Sequence, residues 1–329
     1  MIFVIIFILS VSFLLYTLLG GADFGAGIIE SFSGKKGEKV ISKAMAPVWE
    51  ANHVWLILAI VIIFTGFPVV YATLSLYLHI PLMIVLFGII MRGSAFVFRY
   101  YDVSENRMHK YFSFFFKTSS FITPFFLGIT LGAMMLGEIT TINAGTFFGR
   151  FVHPWFNLFC ATLGLFVTSL FAYVAAIFLV GEAEGGEQKK YIRLSKIFLF
   201  ITFGVGGIVF LAGEMQSQHL FEGFFRSGLS ITSFCIVVLI IPALFYYFNH
   251  PHSFYLRGLI ALQVTFILLG WFALHYPVVV YLKDSEPLTF FNTAAPAATI
   301  DQLLIALFVG LLLIGPAFFF LFRVFKKSS

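Results

Sequence analysis

A run of seven residues, 49–55, places an acid, an amide and an imidazole at one end of a long apolar stretch that continues to Phe67. Glu50 and His53 are three positions apart, so in a helix they share one face, about 4.5 Å apart along the axis. A charge near the centre of a membrane helix costs about 2.5 to 3.5 kcal/mol, and less near the edge. Polar groups kept at such a cost indicate function. Together with Asn52, these groups suit proton transfer, so we predict a proton-uptake site here.

The composition limits the class of protein to which this site can belong. Of the 329 residues, 60% are hydrophobic and only 11% are charged, which is too few to cover a soluble protein of this length. Repeated apolar runs of roughly 18 or more residues predict an all-α polytopic membrane protein. The two cysteines, Cys160 and Cys235, lie within apolar runs, and no metal-binding or disulfide spacing surrounds them.

Nine transmembrane helices can be drawn along the chain, which we treat as a single transmembrane domain, 1–329. The N-terminal stretch has no basic segment before its apolar run, so we interpret it as a retained first helix rather than a signal peptide. The predicted spans are 2–22, 48–67, 71–98, 114–136, 155–180, 194–212, 228–248, 257–282 and 300–323.

Basic residues alternate from loop to loop and so predict the orientation. Sixteen of the 20 Lys and Arg residues fall on one side of these spans, and only Arg150, Arg226 and Lys283 fall on the other. By the positive-inside rule, the N-terminus is outside and the C-terminus is cytoplasmic. The same alternation accounts for the net charge of +5, so the charge does not indicate nucleic-acid binding.

This orientation predicts that several polar side chains meet. Asp23 closes span 1, Glu50 opens span 2, and Arg92 lies about two turns above the cytoplasmic end of span 3. Short connections make these spans antiparallel neighbours, so the three side chains and His53 are expected near the cytoplasmic surface. A purely structural interpretation stays open, because the acids could complement helix ends and pair with Arg92 or with loop lysines.

Two other kinds of function fit the residues less well. Haem ligation would need His or Met side chains at matching depth, and His79 and His275 could share an outer depth. A stand-alone transporter or channel usually has interrupted helices with charges near the midplane, whereas here the acids lie at helix ends. No phosphate loop, nucleophile elbow or metal-binding helix motif is present, so we predict no catalytic residue and no metal site.

Four segments resemble subunit II of cytochrome bd-type quinol oxidases, which are bacterial terminal oxidases. The segments are the Gly-Ala-Asp-Phe-Gly-Ala-Gly of 21–27, the Trp-rich 47–56, Phe64 to Pro68, and the Arg-Gly-Ser-Ala-Phe-Val-Phe-Arg within 91–99. Two departures stand out. Glu50 occupies a position where the family often has Asp, and His53 one where the family often has an acid.

The resemblance implies a nine-helix subunit of two four-helix bundles plus one peripheral helix, in a bacterial cell membrane. Its expected partner is a similarly folded subunit I that holds haem b, haem d and the site for quinol, the substrate of the complex. Subunit II would carry no haem. It would support assembly and offer a cytoplasmic proton path through Asp23 and Glu50, with Arg92, Trp49 and Trp55 in supporting positions. The resemblance leaves open a small single-helix subunit and a structural quinone.

The sequence makes one prediction about composition of the complex. We expect the chain, purified from native membranes, to bring with it a stoichiometric haem-bearing partner, while the chain produced alone shows no Soret band. A pull-down with a visible spectrum measures both. A Soret band from the isolated chain would favour the haem interpretation, and purification without any partner would favour the transporter.

Overall fold

The computed structural model describes residues 1–101, 107–141, 145–216 and 218–327; within these ranges the side chains of some helical residues, Glu50 among them, lie outside the description. The fold is helical apart from one short hairpin. The elements are α1 Ile2–Glu30, α2 Lys35–Gly66, α3 Pro68–Tyr77, α4 His79–Tyr101, α5 Arg107–Leu136, α6 Phe147–Phe151, α7 Leu158–Val180, α8 Gly185–Met215, α9 Leu220–Arg226, α10 Gly228–Asn249, α11 Ser253–His275, β1 Val278–Val280, β2 Leu288–Thr289 and α12 Ala297–Lys327.

The long helices form two groups, and one helix of each group packs against the other group. α1, α2, α4 and α5 pack together, α7, α8, α10 and α11 form the second group, and α1 lies along α7 between them. α12 packs against α2. In the described ranges, seven helices are long and apolar enough to cross a membrane, or eight if the bent pair Asn52–Gly66 and Pro68–Tyr77 is one span. The predicted polytopic helical fold is therefore confirmed, while the nine spans and their orientation stay predictions.

Several helices extend beyond their predicted limits at the end where α1 stops and α2, α5 and α8 begin, here called the basic end after its lysines. α1 continues past residue 22 to Glu30, because every residue from Gly20 to Glu30 is buried against neighbouring helices. α2 starts at Lys35 rather than at 48. Asp23 therefore does not lie at the end of its helix, and Glu50 lies well inside α2 rather than at its start, which corrects the helix limits that the sequence suggested.

The predicted third span, 71–98, also starts too early. α3 turns by 111° from the preceding part of α2, and the helix that qualifies as a span begins at His79. Pro68 sits at the first position of α3, and Phe67 before it has φ −135° and ψ 62°, outside the helical region. Proline lacks the N–H that continues a helix and disfavours the helical conformation of the residue before it, so the bend falls here.

The two groups approach closely where small residues line the helix contacts. A Cβ on Gly25 of α1 would lie 1.9 Å from the main-chain oxygen of Phe171 on α7. A Cβ on Gly128 of α5 would lie 2.6 Å from Cα of Gly164, also on α7. Small residues allow such close contact between membrane helices, where packing replaces the hydrophobic effect as the source of association.

The hairpin joins the groups at the end opposite the basic end. Main-chain hydrogen bonds run from Tyr281 to Met134 (2.8 Å) and from Lys283 to Ile139 (2.9 Å), so the segment after α11 is attached to the end of α5. The N–H of Ala295 donates to the main-chain oxygen of the last residue of α2 at 2.8 Å. This hairpin is an element that the sequence analysis did not predict.

The close contact at Gly25 generates a stability prediction. Gly25→Ala should destabilise the protein by about 1 to 3 kcal/mol, because the added methyl group meets backbone and not a movable side chain. The thermal midpoint of the purified complex in detergent measures this. Gly204→Ala in α8 is the matched control, since a Cβ there meets nothing within 4 Å. Equal midpoints for the two variants would contradict the packing argument.

Candidate functional site

A buried ion pair joins α1 to α4 in the first group of helices. Nη1 of Arg92 donates to Oδ2 of Asp23 at 2.7 Å, and both side chains are 1% exposed. Nη2 donates to the main-chain oxygen of Asp23, and Nε donates to Oγ of Ser120 on α5 at 2.9 Å. The rings of Phe24 and Phe116 flank the guanidinium at 4.8 and 4.6 Å. The protein thus supplies a carboxylate, a main-chain oxygen and a hydroxyl to this cation, as a charge in an apolar interior requires.

Several buried polar atoms along α1 near this pair form no hydrogen bond of good geometry within the described ranges. They are Oδ1 of Asp23, both amide atoms of Asn52 and the hydroxyl of Tyr16, and the amide and the hydroxyl lie close enough to interact with the Asp23 carboxylate. Asn52 reaches α1 at Gly20, where a Cβ would lie 2.9 Å from its Oδ1. Most buried polar groups are satisfied by protein or by ordered water. This strip, within two turns of α1, is therefore suited to hold water beside the carboxylate.

The remaining predicted residues lie on α2 around Asn52. The ring of Trp49 packs edge-on against His53 with centroids 5.5 Å apart, and it also contacts Phe96 of α4 at 5.8 Å. His53 and Trp55 are partly buried. Glu50 belongs to α2, but its side chain lies outside the part of the chain that the structure describes. The geometry thus brings Asp23, Arg92 and Asn52 together and leaves the position of the Glu50 carboxyl undefined.

A second buried ion pair lies two turns closer to the basic end. Nη1 of Arg99 donates to Oε1 of Glu30 at 2.8 Å, and the glutamate side chain is 1% exposed. Nη2 of Arg99 donates to Oγ of Ser42 on α2 at 3.2 Å. Nζ of Lys117 lies 3.6 Å from the same glutamate oxygen. Two cations therefore face one carboxylate. Its second oxygen, Oε2, is buried with no hydrogen-bond partner in the described ranges.

A partly exposed pair, Glu38 and His109, connects this site to the surface; their side chains are 23% and 26% exposed. Oε1 of Glu38 lies 2.7 Å from Nε2 of His109, 3.3 Å from Oγ of Ser113 and 3.9 Å from Nη1 of Arg99. Burial alone would raise the pKa of Glu38. The hydrogen bond with His109 and the positive charges of Arg99 and Lys117 outweigh burial and hold the pKa below its ordinary value. Glu38 is therefore an ionised carboxylate at the protein surface near neutral pH.

Sequence reasoning missed Glu30, Ser120 and Phe116. It placed Glu30 in a loop, and it treated Arg99 as a charge that sets orientation and as the last residue of a family-like motif, without predicting a partner for it. A signal was present, because the acids of α1 and the arginines of α4 are each seven positions apart. Seven residues are close to two helical turns, so each pair of like residues repeats on one face.

The histidines considered for haem ligation lie against other partners. Nδ1 of His79 is 2.9 Å from the main-chain oxygen of Leu76, and its ring packs on Phe151. Nδ1 of His275 is 3.0 Å from the main-chain oxygen of Trp271. Over the described ranges, no group of three or more His, Cys, Asp or Glu side chains could hold a metal ion.

Fold and site together define a polytopic helical membrane protein with two ion pairs buried between helices at one end. Comparison with known proteins gives the family. The family model for cytochrome bd terminal oxidase subunit II matches residues 1–325. The chain belongs to this family, and it is a multi-pass bacterial membrane protein and a subunit of a terminal quinol oxidase. The resemblance seen in the sequence is confirmed.

Individual relatives are distant in sequence. The cytochrome bd ubiquinol oxidase subunit 2 of Bacillus subtilis is 27% identical over 71% of this chain and 68% of its own length. The putative cytochrome bd menaquinol oxidase subunit II of the same organism is 23% identical over 96% of this chain and 92% of its own length. The Escherichia coli cytochrome bd-I ubiquinol oxidase subunit 2 is 23% identical over 60% of this chain and 54% of its own length.

The fold has a counterpart among solved structures. A chain of the bd oxidase from Geobacillus thermodenitrificans matches with a TM-score of 0.81 at 20% identity, over 100% of this chain and 99% of that one. This similarity supports the helical arrangement described above.

The Asp23–Arg92 ion pair, the one farther from the basic end and called the inner pair below, yields a stability prediction. Arg92→Met should destabilise the protein by about 3 to 5 kcal/mol, because it leaves the Asp23 carboxylate buried without its cation. Adding Asp23→Asn should restore much of that loss. Arg226→Met is the control: its partner is Glu222 and the two side chains are 80% and 54% exposed, so the change should stay within about 0.5 kcal/mol. Thermal unfolding of the complex measures the stability of all these variants. If the losses caused by Arg92→Met and Asp23→Asn simply add in the double variant, the pairing argument is refuted.

Proposed function

We propose that this chain is the haem-free subunit of its oxidase, and that it supports a haem-bearing subunit I and delivers protons from the cytoplasm for the reduction of oxygen to water. In this proposal haem b, haem d and the quinol site belong to subunit I. Electron transfer to oxygen consumes protons, and the residues of this chain would provide their route. Subunit II would then contribute acids, amides and water sites, with no redox step of its own.

The buried Asp23–Arg92 pair beside Asn52 carries this proposal. An ionised pair inside a membrane protein is expensive, and replacing such a pair by apolar residues is often neutral or stabilising. Its presence next to buried polar atoms that form no hydrogen bond of good geometry within the described ranges therefore favours a role in moving protons over a role in stability alone. In the path that we propose, Asp23 and Glu50 hold the proton in turn, and Asn52 and His53 line the water between them.

Orientation supports the direction of transfer. The basic end carries the lysine-rich loops, so under the positive-inside rule it faces the cytoplasm. The buried acids lie nearer to this end than to the hairpin, and protons would therefore arrive from the cytoplasm. The proposed topology has nine spans, with the N-terminus outside.

A stand-alone proton-coupled transporter is the competing function. The bend at Phe67–Pro68 is the kind of helix interruption that transporters use for binding sites. It occurs in an apolar segment, however, at the end of α2 farthest from the charged cluster. Membership of the oxidase family and the position of the charges both favour the oxidase subunit.

Replacing the acids tests the proton path. In the co-expressed complex, Asp23→Asn and Glu50→Gln should each lower oxygen consumption at least tenfold, because neither amide can bind and release a proton at neutral pH. The haem spectrum should stay largely intact, since the haems belong to the partner. Oxygen electrode rates and visible spectra of each purified variant give both readings.

Glu222→Gln, at the opposite end and 54% exposed, is the control and should leave the rate unchanged. Loss of the haems in the Asp23 or Glu50 variant would make that residue an assembly residue. A full rate with either substitution would remove that residue from the path.

A further inference from the structure

The two buried ion pairs repeat the same contact in the same register. Asp23 pairs with Arg92 and Glu30 pairs with Arg99, and the partners are separated by 69 positions in both cases. Along the helices the two pairs are about 10 Å apart, at 1.5 Å per residue. α1 and α4 therefore present two carboxylates to two guanidiniums one above the other, and only the inner pair was expected from the sequence.

A single aromatic ring separates the two pairs. Phe116 of α5 is completely buried, and its ring lies 4.6 Å from the guanidinium carbon of Arg92 and 4.2 Å from that of Arg99. Gly27, between the two acids on α1, makes room for it: a Cβ there would lie 3.1 Å from the Phe116 ring and 2.1 Å from Oγ of Ser120. This apolar ring, called the Phe116 partition below, divides the Glu30 carboxylate from the Asp23 carboxylate. Glu30 is nearer the basic end and is called the outer carboxylate, and Asp23 is called the inner one.

The outer carboxylate faces the surface pair. Nη1 of Arg99 lies 2.8 Å from Glu30 and 3.9 Å from Glu38, so one guanidinium bridges the buried acid and the partly exposed one. Lys117 adds a third contact and is itself a third exposed. Among the described residues, Oε2 of Glu30 has no hydrogen-bond partner, so this oxygen can take a proton.

We infer that Glu30 is a second proton-holding group, which collects protons at the basic end before they cross the Phe116 partition to Asp23. This inference rests on the proposed proton path and adds its outer stage. A proton arriving past Glu38 and His109 binds to Oε2 of Glu30, which becomes a neutral acid while its cations remain charged. Release toward Oδ1 of Asp23 regenerates the Glu30 carboxylate, so no bond other than O–H forms or breaks.

The charged and titratable groups facing Glu30 determine how this stage responds to pH. They are Arg99 and, more distantly, Arg92 from α4, Lys117 from α5, Glu38 from α2 and Tyr191 from α8, with His109 acting through Glu38. Cations outnumber acids in this set. Bulk protons become scarce as pH rises, so loss of a collecting carboxyl should harm turnover most at alkaline pH.

Glu30→Gln in the co-expressed complex tests the inference, because glutamine keeps the size of the side chain and an oxygen for Arg99. We expect oxygen consumption to fall about threefold at pH 6 and at least tenfold at pH 8, with an unchanged haem spectrum. Ser42→Ala is the matched control: it removes another hydrogen bond to Arg99 but no proton carrier, and should keep the normal pH profile. An equal loss at every pH, or the same profile in both variants, would show a structural role and overturn the inference.

A second variant tests the inference independently if the complex with Glu30→Gln fails to assemble. Lys117→Gln removes a positive charge beside Glu30 without breaking the buried pair, so the alkaline decline in turnover should move to higher pH. Lys110→Gln, exposed on the same helix, should leave the decline in place. No shift with Lys117→Gln in an assembled complex would overturn the inference.

The Asp23→Asn variant separates the two proposals. Slow turnover in Asp23→Asn with normal turnover in Glu30→Gln would refute the outer stage alone. Normal turnover in both of these variants and in Glu50→Gln would refute the proton path itself.

Discussion

A charge placed inside a membrane protein has to be neutralised by the protein, and this requirement governs the first group of helices. The guanidinium of Arg92 receives a carboxylate oxygen and a main-chain oxygen from α1, a hydroxyl from α5 and two aromatic rings. These partners lie on α1 and α5, and Arg92 itself belongs to α4, so the three helices must hold one relative position for the cation to be satisfied. Glycines on the opposite face of α1 then let α7 approach, which joins the second group to the first. The ion pair with Arg92 thus fixes one face of α1, and the glycines that contact α7 fix the opposite face.

Much of this arrangement could be predicted from the sequence because membrane spans have a strong signal. Long apolar runs identified the helical class, and the residues around Asp23, Asn52 and Arg92 identified both the family and the polar cluster. The helix limits could not be read in the same way. An apolar window ends where polar residues begin, but α1 continues to Glu30 because neighbouring helices bury that segment as well. The misplaced end of α1 hid the outer ion pair, since a residue assigned to a loop is not expected to pair with a residue inside a helix.

The bend after α2 and the hairpin show a different limit. Composition does not separate an apolar helix that crosses the membrane from one that turns by 111°, so only Pro68 indicated the break. The hairpin rests on main-chain hydrogen bonds between segments far apart in the chain, and the strands themselves are three and two residues long. Such short strands carry almost no periodic pattern. The residues that form the bend and the hairpin show no sequence pattern from which either feature could be predicted.

The hairpin also has a mechanical consequence. Its hydrogen bonds fasten the ends of α2, α5 and α11 to one another on the side of the molecule away from the acids. These bonds join main-chain atoms, so the fastening does not depend on which side chains occupy the segment. α2 and α5 belong to the first group and α11 to the second, so backbone contacts couple the two groups at this end, whereas side-chain ion pairs hold α1 and α4 together at the basic end. A substitution among the buried charges therefore loosens one end of the molecule without releasing the other.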